Sequence, residues 1–306
     1  MPTRRQFIQR SSALAAMASM APLFPSFSFA ADTLLKRAIP ATGETLPVIG
    51  LGTSRTFDVD PASADMAPLQ EVVKAFVDGG ATLIDTAPSY GRSEAVTGEL
   101  VKRTGTGDRV FLATKVSSTG REAGLQQIEA GFKALQTERI DLIQVHNLQD
   151  TATQLGLLRE LKEQGRIRYV GVTHYLESAH DDLLATLEKE PVDFVQFNYS
   201  IGARNAEQRL LPYCADKGIA TLINRTYQAG ELFAKVRGKE VPQWLQSELG
   251  ATSWAQVMLK FVLANPAVTT VIPATSNPRY VLDNLLAGQG QLPDAAQRAR
   301  IVELFA

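Results

Sequence analysis

The sequence predicts an α/β chain folded as a single (β/α)8 TIM barrel preceded by a short N-terminal β-hairpin, and three observations carry that expectation. Eight short apolar runs rich in β-branched residues recur between residues 48 and 273. Stretches with helical spacing of their apolar positions lie between them. No Pro- or Ser-rich linker interrupts the series, so the 306 residues read as one domain even though a prior of ~150 residues per domain suggests two. An open doubly wound sheet is the alternative. It lacks support, because Gly50-Leu51-Gly52-Thr53 has only part of a Gly-x-Gly-x-x-Gly pattern and runs into a loop rather than a helix.

Residues 1–30 read as a separate segment. They carry Arg4, Arg5 and Arg10 with no acid, a modest apolar stretch, and Ser28-Phe29-Ala30 before an expected cleavage after Ala30. The apolar part is short and broken by Pro22 and Pro25, so it is not expected to span a bilayer. The run Thr3-Arg4-Arg5-Gln6-Phe7-Ile8 resembles the twin-arginine (Tat) signal of bacterial export substrates. It implies passage through the Tat translocase in a folded state and a periplasmic location, with no stable membrane anchor. Removing this leader from a chain of net charge −1 leaves 28 basic against 32 acidic groups. The barrel domain, residues 31–306, is thus mildly acidic, and nucleic acid is not an expected partner.

Within the barrel domain, residues 33–46 read as a hairpin turning at Ala41-Thr42-Gly43-Glu44. The expected strands are Val48–Thr53, Thr82–Thr86, Val110–Lys115, Leu142–His146, Tyr169–Thr173, Phe194–Asn198, Ala220–Asn224 and Thr269–Pro273. Near-continuous apolar runs suit parallel strands covered on both faces. Helical spacing is clear over Leu69–Val77, which stops at Gly79-Gly80, and over Leu125–Leu135, Leu155–Gln164 and Asp182–Glu190. Residues 227–250 form a long insertion after the seventh strand, and a last helix is expected from Asp294 to Phe305. The lone cysteine, Cys214, falls on an apolar helical stretch and reads as a buried structural thiol.

In such a barrel the active site forms where the strands end. Asp85 ends the second strand, Tyr90 stands in the loop after it, Lys115 ends the third strand and His146 the fourth. A buried lysine needs a counter-ion, which Asp85 on the neighbouring strand can provide. An ammonium beside a phenol favours the phenolate, so the phenol can give its proton to a carbonyl oxygen that a histidine orients. No cluster of His, Asp and Glu with metal-ligand spacing is present in the sequence, and no metal is expected.

On these residues the chain resembles the aldo-keto reductases, from Leu46-Pro47-Val48-Ile49-Gly50-Leu51-Gly52-Thr53 to the last helix. Ile84-Asp85-Thr86-Ala87-Pro88-Ser89-Tyr90-Gly91 is similar to the family's Asp and Tyr segment, Ala113-Thr114-Lys115-Val116 to its Lys strand, and Gln144-Val145-His146-Asn147 to its His strand. The resemblance implies a catalytic tetrad of Tyr90, Asp85, Lys115 and His146, and reduction of an aldehyde or ketone by a nicotinamide dinucleotide. It implies NADP(H) as the preferred cofactor, with NAD(H) the other candidate.

The same resemblance assigns Thr53 and Asp85 to the cofactor side, and Thr173, His174 and Gln196 to its carboxamide. Asn224 stands where the family places a stacking aromatic, with Arg225 beside it and Tyr227 as the nearby aromatic substitute. Thr275, Ser276, Arg279, Asp283 and Asn284 match the segment for the adenosine end, but the family's basic pair there is replaced by Ala274 and Tyr280. Ser54–Asp60, Leu148–Thr151, residues 227–250 and the C-terminal tail are the expected pocket walls, with Phe57, Phe233 and Trp244 as candidate linings. A nicotinamide-binding sensor or interaction subunit with little turnover is the second functional reading.

Overall fold

The computed structural model describes residues 33–306, and the leader expected in residues 1–30 lies outside the described residues. Strands β1 (Lys36–Ala38) and β2 (Thr45–Pro47) pair antiparallel with Arg37 opposite Leu46, which is the expected hairpin. Eight parallel strands follow: β3 (Leu51–Gly52), β4 (Leu83–Asp85), β5 (Phe111–Val116), β6 (Ile140–His146), β7 (Ile167–Thr173), β8 (Phe194–Asn198), β9 (Ala220–Asn224) and β10 (Thr270–Val271). Each pairs with the next in sequence, and parallel bridges Ile49–Val271 and Gly52–Ala274 join the two ends of the sheet into a barrel.

Helices connect the strands: α1 (Met66–Asp78), α2 (Ser93–Thr104), α3 (Arg121–Leu135), α4 (Thr151–Glu163), α5 (His180–Leu187) and α6 (Leu210–Lys217). The insertion after β9 is not a plain loop. It holds α7 (Glu231–Lys235) and α8 (Gln243–Leu249), pinned by buried Leu232, Leu245 and Leu249, before α9 (Trp254–Leu263). After β10 come α10 (Pro278–Ala287) and α11 (Ala295–Leu304). The last of these starts where expected, because Asp294 accepts from the Gln297 N–H while the Gln297 side chain reaches back, a capping box. The largest displacements of a helix boundary are at α3 and α4, which begin at Arg121 and Thr151 rather than Leu125 and Leu155. Their first turns hold only polar and small residues and carry no large apolar side chain to set a periodicity.

Side chains alternate across each strand, and this alternation builds two layers. One series points into the barrel: Leu83, Phe111, Ala113, Leu142, Tyr169, Phe194, Ala220, Leu222 and Ile272 form a cluster with Ile39 and Leu46 of the hairpin. The hairpin therefore closes the barrel's N-terminal end. The other series, including Ile84, Leu112, Ile143, Val145, Val170, Val172, Val195 and Ile223, packs outward against helices. Burial of each such side chain stabilises by ~1.5–3 kcal/mol. The barrel is tight at Gly171, where a Cβ would lie 2.8 Å from the Phe194 carbonyl oxygen.

Candidate active site

Continuing the inward series by two residues at a time carries it from core into polar residues. Leu83 is followed by Asp85, Ala113 by Lys115, Leu142 by Gln144 and then His146, Phe194 by Gln196, and Leu222 by Asn224. The strands thus deliver these side chains to one end of the barrel, where a cavity of about 690 Å³ opens. Asp85, Tyr90, His146, Thr53, Thr173, Gln196, Asn224, Arg225 and Tyr227 line it, and Lys115 lies buried beneath.

Asp85 is the hub. Its Oδ2 accepts from Lys115 Nζ at 2.7 Å, and its Oδ1 accepts from Gln196 Nε2 at 2.9 Å and Gln144 Nε2 at 3.3 Å. Lys115 also donates to the Thr86 carbonyl at 2.8 Å, and its ammonium lies 5.0 Å from the centre of the Tyr90 ring. The Lys115 and Asp85 side chains are 0% and 3% exposed. Burial, the largest single influence on Lys115, pulls its pKa down. The charges of Asp85 and Tyr90 and the hydrogen bonds Lys115 donates to both outweigh it, so Lys115 sits above the ordinary lysine value and stays protonated.

His146 meets Tyr90 edge-on at 6.0 Å between ring centres, and its Nδ1 lies 3.4 Å from Ser89 Oγ. Burial first, then the Lys115 charge and His174, lower its pKa to about 3. The imidazole is therefore neutral and can donate one hydrogen bond to an oxygen. The depressed value also ties stability to pH. The unfolded chain binds a proton near 6.5 that the folded chain refuses, so this contribution is full above 6.5 and is lost as pH falls towards 3. Urea unfolding of His146→Gln is expected to show a smaller loss of stability between about pH 7 and about pH 4.5 than the parent. An equal loss in both proteins refutes the assignment.

The residues expected on the cofactor side fall into two groups. Gln196 Oε1 accepts from Thr173 Oγ1 at 3.2 Å and Asn224 Nδ2 at 3.3 Å, so these three form one polar wall whose orientation is set by Asp85. Asn224 Oδ1 is a buried acceptor with no protein partner. Thr53 holds the Asp85 carbonyl through both its N–H and its hydroxyl, at 3.1 and 3.0 Å. Arg55 and Arg225 are the lining cations, and neither has a carboxylate partner among the described residues. The Arg225 guanidinium sits over the Tyr175 ring at 5.5 Å.

The second group lies outside the cavity lining. His174 accepts from the Leu176 N–H and stacks on Tyr175, which takes the place on the wall expected for His174. Asp283 accepts from Ser253 and Gln256, each at 2.6 Å, and Asn284 accepts from the Tyr227 hydroxyl at 2.7 Å. Thr275 Oγ1 accepts from the Asn277 N–H, Ser276 and Arg279 are exposed, and Asn277 caps α10. The adenosine-end residues are thus either bonded internally or on the surface.

Of the expected walls, Ser54, Arg55 and Thr56 line the cavity, as do Tyr227, Ala229, Gly230 and Phe233 from the insertion. Leu148–Thr151 and the C-terminal tail do not, and Asn147 contributes instead. Phe57 is wholly buried core and Trp244 packs under the Arg300 guanidinium, so both are packing residues. Cys214 is buried in α6 with its thiol pKa raised to about 12 by burial. Gln144 was not singled out in the sequence, although its place two residues before His146 puts both on one face. Several non-glycine residues with positive φ also gather on loops after strands: Arg55, Asn147, Leu148, Asp150, Arg225, Gln228 and Ala229. Such strain, ~1–3 kcal/mol each, collects at functional sites.

A model of the Aldo/keto reductase family matches residues 48–304. The chain is 33% identical over 217 residues to the aldo-keto reductase YhdN of Bacillus subtilis, an overlap of 65% of this chain and 64% of that protein. It thus spans less than two thirds of that relative. It is 28% identical over 262 residues to the methylglyoxal reductase YeaE of Escherichia coli, covering 82% of this chain and 88% of that one. The crystal structure of an aldo/keto reductase from Klebsiella pneumoniae in complex with NADP and acetate shares the fold, with a TM-score of 0.71 at 24% identity over 86% of this chain and 93% of that one.

Proposed function

Because the chain belongs to the aldo/keto reductase family, we propose that it reduces a small aldehyde or ketone to the alcohol with NADP(H), using Tyr90 as the proton donor. The observation that carries this reading is the buried Asp85–Lys115 pair set beneath Tyr90 and beside a neutral His146 at one cavity. A reduced nicotinamide, which Thr173, Gln196 and Asn224 would hold by its amide, would supply hydride to a carbonyl carbon. Tyr90 gives its hydroxyl proton to the carbonyl oxygen, and the Lys115 charge stabilises the phenolate left behind. Asp85 keeps Lys115 charged and in place. His146 donates a hydrogen bond to the same oxygen and fixes its direction.

The wall of Thr173, Gln196 and Asn224 suits a primary amide, since Asn224 Oδ1 is a buried acceptor without a partner. Arg55 and Arg225 suit the anionic charge of a dinucleotide. NADP in the Klebsiella structure supports NADP(H) as cofactor, and the names of YhdN and YeaE support a carbonyl substrate. Methylglyoxal is a reasonable first substrate to test. The twin-arginine leader makes export to the periplasm part of the proposal, and fusing residues 1–30 to a reporter active only after export tests it.

Purified protein is expected to blue-shift and enhance NADPH fluorescence, and to consume NADPH in step with alcohol formed from methylglyoxal or a panel of aldehydes. Binding without turnover across such a panel overturns the reductase reading in favour of a nicotinamide-binding sensor.

A further inference from the structure

The loop after β3 meets the loop that carries Tyr90 at Arg92, through Asp58 and, at 3.8 Å, through the Asp60 carboxylate. Asp58 Oδ1 accepts from the Arg92 backbone N–H at 3.0 Å and from Arg92 Nε at 3.4 Å. Its carboxylate rests directly on Gly91, the residue after Tyr90. A Cβ at Gly91 would lie 2.4 Å from Asp58 Cγ, so no side chain fits between them. Gly91 also has φ +63°, the left-handed region, which sets the turn from Tyr90 into α2.

Helix α2 has no side-chain cap of its own at its N-terminus. Its N-cap residue is Arg92, whose side chain makes no capping bond, and the Asp58 carboxylate stands at this N-terminus instead. The rest of the turn is local: Tyr90 N–H donates to the Ala87 carbonyl, and Ser93 donates to the Tyr90 carbonyl through both N–H and hydroxyl. From outside the turn, Asp58 is the acid that bonds the turn's backbone, while Asp60 reaches only the Arg92 guanidinium, at 3.8 Å.

The other end of the Asp58 loop is fixed to the Lys115 counter-ion. Thr53 donates twice to the Asp85 carbonyl, and the Thr53 carbonyl accepts from the Thr56 and Phe57 N–H groups at 3.2 and 3.1 Å. Phe57, next to Asp58, is fully buried and anchors the loop in the core. Residues 53–58 therefore form a bracket from the Asp85 backbone to the turn after Tyr90. We propose that Asp58 is a positioning residue that, through Gly91 and Arg92, holds the Tyr90 hydroxyl in line with Lys115. This inference rests on the reading of Tyr90 as proton donor.

A displacement of about 1 Å in a reacting group can lower turnover by ~10²-fold, so a loosened turn is expected to register in kcat. Asp58→Ala is expected to lower kcat about tenfold or more, with the dissociation constant for NADPH unchanged within about twofold. Asp58→Asn keeps the accepting oxygen and is expected to restore most of the loss. The Asp58–Arg92 pair is about half exposed, 49% and 53%, so the melting temperature is expected to move little.

The cycle with Tyr90→Phe supplies the decisive comparison. On that background Asp58→Ala is expected to add no further loss, since the group it positions is gone. Unchanged kcat in Asp58→Ala, or the same factor lost again on the Tyr90→Phe background, overturns the proposal. Amide hydrogen exchange at Gly91 and Arg92 reads the bracket without turnover. Faster exchange in Asp58→Ala supports it even if Tyr90→Phe keeps full activity, in which case the proton-donor reading alone fails. Unchanged exchange overturns the bracket itself.

Discussion

Replacing Tyr90 by phenylalanine is expected to lower turnover by ~10²–10⁴-fold, the range contributed by a positioned general acid. The substitution removes one hydroxyl and little else. The ring stays, so its edge contact with His146 at 6.0 Å and its position 5.0 Å from Lys115 Nζ can both persist. The polar wall of Thr173, Gln196 and Asn224, proposed to hold the cofactor, is built on other strands and bonds through Asp85, not through Tyr90. NADPH binding measured by fluorescence should therefore be nearly unchanged while NADPH consumption collapses. Full retained turnover excludes Tyr90 as the acid. A parallel loss of NADPH binding shows instead that the hydroxyl serves the cofactor.

Lys115→Met is expected to remove activity and to destabilise the fold by ~3–5 kcal/mol, because it strands the buried Asp85 carboxylate without its cation. Both side chains are inaccessible and 2.7 Å apart, so water cannot take over the missing charge. Asp85→Leu alone strands Lys115 in the same way. Combining Lys115→Met with Asp85→Leu leaves no unpaired charge, and the double variant is expected to regain much of the stability of either single one, without activity. Urea unfolding and a turnover assay on the same three proteins separate the two effects. A double variant no more stable than the singles refutes the account of the pair as a closed electrostatic unit. A Lys115→Met protein with normal turnover refutes its role beside Tyr90.

Much of the barrel is legible in the sequence for a simple reason. Strand periodicity is local, and a parallel strand covered on both faces must be apolar almost throughout. The polar exceptions, Asp85, Lys115 and His146, then stand out at strand ends. Tyr90 was legible through its motif and its distance from Asp85. Only β3 and β10 are much shorter than their apolar runs. Between them the barrel meets itself only through single bridges, Ile49 with Val271 and Gly52 with Ala274.

The cofactor side divides differently. Thr173, Gln196 and Asn224 are strand residues, and their meeting follows from the pairing of β7, β8 and β9 in register, Thr173 opposite Gln196 and Asn198 opposite Asn224. His174, Asp283, Asn284 and Arg279 lie on loops and a helix, where a position in a motif does not settle which way a side chain turns. A single backbone N–H turns His174 to its own loop, and Ser253 and Gln256 hold Asp283. Such choices depend on neighbours far away in the chain.

The sequence alone determined the barrel and singled out the four residues of the proposed reaction, because each depends on residue type and short spacing. The tertiary structure decided what surrounds them. It made Asp85 the hub for Lys115, Gln144 and Gln196, put Tyr175 rather than His174 on the cavity wall, and set Asp58 against Gly91. These are contacts between segments distant in sequence, settled by packing and by the need of each buried donor and acceptor for a partner, which no local pattern encodes.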